Sequence, residues 1–161
     1  VRPEPVDLLP VVRRILNAQE DSLESRRISV AMTREGRPAA GEDRFMILGE
    51  ELLCYSLLAN LITNALEASP PGGTISVDLS GRDPAVISIH NQGAVPAEIR
   101  ERFFEKYATA GKSKGTGLGT YSSRLIARSQ GGEVTFATSE EQGTTLTVTL
   151  PSAGEDSWGV L

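Results

Sequence analysis

Disulfides, basic charge and long apolar runs are all missing from this chain, and each absence removes a class of protein. Cys54 is the single cysteine, so no disulfide framework exists. It sits among Leu52, Leu53 and Tyr55, where the thiol reads as a small core residue and a reducing compartment fits. His90 is the sole histidine. With no second imidazole and with Cys54 on another element, a zinc centre is not expected. A net charge of -5 and a pI near 5.0 argue against a general nucleic-acid binder, which would carry a basic face. No run of about eighteen apolar residues is present, and the N-terminus lacks a charged, apolar, small-residue signal pattern. A soluble segment is expected. Its abrupt start, Val1-Arg2-Pro3-Glu4-Pro5, reads as a cut from a longer protein.

What is present fits one domain of 161 residues, long enough to bury a core without staples. Apolar residues from Val6 to Leu23 recur at helical spacing and predict a first helix over 6–24. Alternation predicts a strand over 27–32, a loop over 34–38 and a second strand over 44–48. A long apolar helix over 50–68 is stopped by Pro70-Pro71-Gly72-Gly73. Strands over 74–79 and 85–90 form a hairpin around Ser80-Gly81-Arg82-Asp83-Pro84. A short helix over 97–104, a small-residue stretch over 106–119, a helix over 118–129 and a closing hairpin of strands 133–138 and 144–150 follow. Strands arriving in pairs between helices predict an α+β fold, with a mixed sheet and helices on one face. The domain is expected over 1–151, with 152–161 a frayed tail.

Two stretches carry chemistry. On the long helix, Asn60, Asn64 and Glu67 share one face while Leu57, Leu58, Leu61, Ile62, Ala65 and Leu66 fill most of the rest. Polar groups on a largely buried helix need partners, and a bound polar ligand or metal would supply them. The second stretch combines Lys112 and Lys114 with Gly115-Thr116-Gly117-Leu118-Gly119. Glycines allow close backbone approach, and the following helix N-terminus offers free N–H groups to an anion, which together make a phosphate seat. A glycine hinge without a ligand is the plainer alternative. The common nucleotide fingerprints do not fit: Lys106 stands where a Walker loop has its first glycine, and Thr120 where a dinucleotide motif has its third.

Taken in order, Asn60-Leu-x-x-Asn64-Ala, Asn91-x-Gly93, Phe103-Phe104, Gly115-Thr116-Gly117-Leu118-Gly119 and Gly143-Thr144 resemble the boxes of the catalytic ATP-binding domain of bacterial sensor histidine kinases. This family belongs to a superfamily with gyrase-type topoisomerases and mismatch-repair ATPases. The resemblance covers about Val6 to Pro151. It implies a two-layer α/β sandwich, the Bergerat fold, with a mobile ATP lid, and ATP and magnesium as cofactors. Asn64 matches the magnesium ligand, a hard oxygen donor for a hard cation, and Asn60 the second catalytic asparagine, near phosphate or metal-bound water. The hydrolysing members have a water-activating glutamate at the position of Asn60, and an amide cannot act as that base. Glu67 falls at a variable position.

Asn91 matches the family's adenine-binding aspartate. Its amide oxygen still accepts a hydrogen bond, but a neutral one, weaker by about 1–2 kcal/mol. The turn Gly93-Ala94-Val95-Pro96 is one glycine short of the family's pattern. Thr144 matches a residue that helps hold adenine, Phe103 and Phe104 the aromatic box under the lid, and Lys112 and Lys114 are the local charges for the β- and γ-phosphates. The phosphoacceptor motif is absent, since His90-Asn91-Gln92 does not match it. The resemblance therefore implies a monomeric, cytoplasmic catalytic module without direct membrane contact, whose parent is free to be membrane-anchored. Its partners would be the histidine-bearing dimerisation domain and, through it, a response regulator. A serine kinase of the anti-sigma type, or a pseudokinase with weakened ATP binding, would use the same pocket.

Overall fold

The computed structural model of the chain describes residues 2–105 and 119–153. The elements run β1 (Glu4–Asp7), α1 (Leu8–Ala18), α2 (Glu20–Ser25), β2 (Ser29–Arg34), β3 (Arg37–Pro38), β4 (Met46–Gly49), α3 (Glu51–Ala68), β5 (Thr74–Ser80) and β6 (Ala85–Asn91). A 3-10 turn (Ala97–Arg102), α4 (Gly119–Ser129), β7 (Glu133–Ser139) and β8 (Gly143–Leu150) complete them. Six strands form one mixed sheet in the order β3-β2-β5-β6-β8-β7, in which only β2 and β5 run parallel.

Strict alternation builds two layers from this sheet. Ile75, Val77 and Leu79 of β5, Ile87 and Ile89 of β6, and Leu146 and Val148 of β8 are fully buried. The opposite face carries the half-buried Ser76, Asp78, Ser88, Thr145, Thr147 and Thr149, a solvated face of the kind an antiparallel sheet tolerates. Helix α3 lies over β6 and packs between α1 and α4. Seven of its residues, Cys54, Leu57, Leu58, Leu61, Ile62, Ala65 and Leu66, enter the core. The expected α+β sandwich with helices on one face is what forms.

Several local expectations change. The first helix is broken. Residues Glu4 to Asp7 are a strand that pairs with β4 in a separate two-stranded sheet, Val6 opposite Ile47. Asp7 then starts α1, its Oδ1 accepting from the N–H of Leu9 (3.2 Å) and of Phe45 (3.0 Å), an N-cap that also ties the two segments together. Helix α1 stops at Gln19, which has non-helical φ and ψ. Arg27 has a positive φ, so β2 begins two residues later than predicted. The predicted loop over 34–38 is a tight hairpin, because Glu35 and Gly36 both take positive φ, as a two-residue turn matched to strand twist requires. The short helix over 97–104 is a 3-10 turn.

At the C-terminal end Ser152 bridges Ile47 and Ala153 is buried, so packed chain continues to Ala153. Among the described residues no helix is long and apolar enough to cross a membrane.

Candidate functional site

Strand β6 ends in a buried amide. Asn91 lies in register between Ile75 of β5 and Thr144 of β8, on the inward face that Ile87 and Ile89 occupy, and is only 1% exposed. Its Nδ2 lies 2.8 Å from the carbonyl of Gln92 and donates to it. A carbonyl only accepts, so nitrogen must be the atom placed there. The Asn91 Oδ1 is left without a partner among the described residues.

The turn that follows is held from three sides. Gly93 has φ +110, and a β-carbon on it would lie 2.7 Å from the Ala68 carbonyl at the end of α3, so conformation and space both require glycine. Thr144 donates its hydroxyl proton to the Gly93 carbonyl (2.8 Å). Thr138 on β7, directly opposite Thr144, lies 2.9 Å from it hydroxyl to hydroxyl and accepts the Val95 N–H at 2.9 Å. Arg100 Nε donates to the Val95 carbonyl (2.8 Å). Asn91, Gly93 and Thr144 are thus brought together against the C-terminal end of α3.

The same end of α3 is fixed by the Arg26 guanidinium, which donates to the carbonyls of Leu66 and Ser69. Carbonyls at a helix terminus lack the usual intrahelical partners, and here the Leu66 carbonyl takes the Ser69 N–H (3.3 Å) as well as the guanidinium. Asn64 stands one turn, about 6 Å, before Ala68, and Asn60 a further turn back. Both are half-buried and Glu67 is exposed. Among the described residues neither amide has a side-chain hydrogen bond. The stripe therefore runs away from the Asn91 turn along α3.

Helix α4, packed on α3, opens at Gly119. Thr120 donates to the Phe103 carbonyl (2.8 Å), joining α4 to the end of the 3-10 segment. Phe103, Phe104 and Phe136 form a three-ring cluster with centroids 4.3–5.6 Å apart. The Arg124 guanidinium lies over Phe104 at 4.6 Å and bonds Glu133 (3.1 Å). Burial works against the Glu133 carboxylate. The Val134 N–H and the guanidiniums of Arg124 and Arg128 outweigh it and hold its pKa below the ordinary value. Lys112, Lys114, Gly115, Thr116, Gly117 and Leu118 lie outside the described residues.

His90 and Cys54 lie apart from these groups in role. A ring nitrogen of His90 is engaged by the Gln142 carbonyl at 2.6 Å. Cys54 is fully buried, and that burial pushes its thiol up to about 11, which favours the neutral thiol of a packed core residue. Sequence reasoning missed Thr138. Only the register of β7 on β8, which sets it opposite Thr144, could have pointed to it.

The Asn91 turn thus lies against the end of a helix whose Asn60 and Asn64 amides make no side-chain hydrogen bond among the described residues. The sequence profile of the family described as histidine kinase-, DNA gyrase B- and HSP90-like ATPases matches residues 49–154, and the chain belongs to that family. The sensor histidine kinase WalK of Bacillus subtilis is 34% identical over 63% of this chain and 18% of its own length. The sensor protein CutS of Streptomyces coelicolor is 30% identical over 94% of this chain and 36% of its own length. This chain thus spans about a third or less of these relatives. Among solved structures, the mycobacterial sensor histidine kinase MprB matches with a TM-score of 0.75 at 26% identity, covering 94% of this chain and 98% of that one. The catalytic domain of histidine kinase ThkA matches with a TM-score of 0.79 at 22% identity, covering 94% and 97%, and bears on the fold alone. Membership of an ATPase family implies an ATP site.

Proposed function

We propose that this chain is the catalytic module of a two-component sensor histidine kinase. It binds magnesium-ATP and transfers the γ-phosphoryl group to a histidine on a separate dimerisation domain, from which a response regulator is phosphorylated. The observation that carries this reading is the buried Asn91 amide, its nitrogen held by the Gln92 carbonyl, in a turn packed on the end of the helix that carries Asn60 and Asn64, whose amides make no side-chain hydrogen bond among the described residues. The names of the relatives favour it over a serine kinase or a pseudokinase.

The residues present fit both cofactors by the chemistry of their donors. In this reading Asn91 Oδ1 accepts from an exocyclic amine, and Gly93 with Thr144 shapes the turn beside it. The Asn64 amide oxygen suits magnesium, a cation that takes oxygen ligands and keeps several waters. When bound, the metal neutralises phosphate charge during transfer. Asn60 orients phosphate or water. Having no basic oxygen, it cannot take a proton from an attacking water, which favours transfer to a partner over hydrolysis. Lys112, Lys114, Gly115, Thr116, Gly117, Leu118 and Gly119 supply charge and backbone N–H groups toward the phosphates. The module's task is positioning and charge neutralisation for in-line transfer.

The test is calorimetry with magnesium and a non-hydrolysable ATP analogue, followed by transfer to the parent's histidine domain. Saturable, magnesium-dependent binding and a histidine-linked phosphate are expected. No binding at millimolar nucleotide would sink the reading.

A further inference from the structure

The two threonine hydroxyls behind the Asn91 turn form a chain whose proton direction is fixed by its ends. The Gly93 carbonyl carries no proton, so Thr144 donates to it at 2.8 Å. A hydroxyl has one proton to give. Across the 2.9 Å contact between the two hydroxyls, Thr138 must therefore be the donor and Thr144 the acceptor. The Thr138 oxygen in turn accepts the Val95 N–H at 2.9 Å. The order is Val95 N–H to Thr138, Thr138 to Thr144, Thr144 to Gly93, each bond polarising the next. Both ends of the chain lie on one short turn, so β7 and β8 hold that turn at two points.

The same logic fixes what the turn presents. Neither hydroxyl proton is free to reach a ligand, and the Asn91 amide is oriented by the Gln92 carbonyl so that its oxygen is turned away from that carbonyl. We propose that Thr138 is a specificity-determining positioning residue, which holds the Gly93–Val95 turn and keeps the Thr144 proton turned inward so that the site selects a 6-amino over a 6-oxo purine. This rests on the nucleotide reading above. A 6-oxo base would set its carbonyl against the Asn91 oxygen with no hydroxyl proton available to relieve the repulsion. Valine at position 138 keeps the shape of threonine but removes both the acceptor for Val95 and the donor to Thr144. With the Val95 tie gone, the turn loosens and its Gly93 carbonyl is no longer held against Thr144, and it is this release that lets the Thr144 hydroxyl turn toward a 6-oxo group.

The experiment measures magnesium-ATP and magnesium-ITP affinity for the full chain, for Thr138→Val and for Thr138→Ser, with amide hydrogen exchange at Val95. The unaltered chain is expected to prefer ATP by about tenfold, the worth of one good hydrogen bond, and to protect the Val95 N–H. Thr138→Val should weaken ATP binding and bring the two affinities to within about threefold, and Thr138→Ser should restore the preference. Equal losses for both nucleotides in Thr138→Val would reduce Thr138 to plain scaffolding and overturn the inference alone. If Thr138→Val does not fold, the unaltered chain still decides. Equal affinity for the two nucleotides, or Val95 exchange at the rate of an open turn, overturns the inference. Binding of neither nucleotide by the unaltered chain overturns the nucleotide reading itself.

Discussion

The Asn91 turn and the polar stripe of α3 are both rich in amides and carbonyls, yet the chain treats them in opposite ways. Around Asn91 almost every polar group is engaged: Gln92, Gly93 and Val95 are each held by a named donor or acceptor. Along α3, Asn60 and Asn64 have no side-chain partner among the described residues. The first region is organised before any ligand arrives, which lowers the entropy lost on binding. On the proposed reading the second is completed by the ligand, because a hydrogen bond or contact to a charged group is worth more than one between neutral groups. On the proposed reading, recognition belongs to the sheet end of the site and the chemistry to the helix.

Removing the proposed metal ligand is the strongest way to break this contrast. Asn64→Ala takes away an oxygen that nothing else on α3 replaces, and the loss of a contact to a charged group lowers affinity by up to about a hundredfold. Magnesium-dependent nucleotide binding and phosphotransfer should both fall by that order, with thermal stability unchanged because the amide has no side-chain hydrogen bond to lose among the described residues. Transfer that survives Asn64→Ala would remove Asn64 from the metal site.

Gly93→Ala attacks the preformed region instead. The new β-carbon meets the Ala68 carbonyl at 2.7 Å, and φ stays at +110, a region that costs a non-glycine residue roughly 1–3 kcal/mol. Here stability and nucleotide affinity should fall together. A variant that melts like the unaltered chain would show that the turn is free to move away from α3.

How much of this was legible beforehand follows the range of the interactions. The stripe of Asn60, Asn64 and Glu67 could be read because a helix repeats locally, and the β5–β6 and β7–β8 hairpins because their turn residues lie between adjacent strands. Strand β1 was not legible: Pro3 and Pro5 obscure it, and its partner around Ile47 is far along the chain. The parallel pairing of β2 with β5 across α3 is non-local in the same way. Within the site, Asn91 and Gly93 stood out by residue type and position. The tie from Asn91 to Gln92, which decides which amide atom is free, needs coordinates. So does Thr138, whose role depends on a cross-strand register that propensity does not set.

Asn91→Asp sharpens the comparison from inside the preformed region. A carboxylate there would put an oxygen against the Gln92 carbonyl now 2.8 Å from Nδ2, costing the empty protein about 1 kcal/mol for the lost bond. The same charge strengthens acceptance from an exocyclic amine by a comparable amount. The expected result is a lower melting temperature without ligand and adenine-nucleotide affinity raised by up to about tenfold. Unchanged affinity would mean that position 91 does not meet the base.

The smallest effect tests whether the two regions are separable. Glu133 ties β7 to α4 through Arg124 and Arg128, and its pKa in the folded chain lies below the ordinary 4.5. Between the folded and unfolded values the unfolded chain binds more protons, so stability rises with pH there. The contribution is complete above the unfolded value and is lost as the pH falls through the folded one. Because the carboxylate and both guanidiniums are a third or more exposed, solvent screens the pairs to a few tenths of a kcal/mol each. Glu133→Gln should therefore lower the melting temperature slightly at neutral pH, and the gap should close on acidification below about pH 4.5. Val95 amide protection should stay the same in both proteins across that range, since the threonine chain contains no titrating group. Protection at Val95 that fell with Glu133 would join the helix side to the turn as one cooperative unit and dissolve the distinction between them.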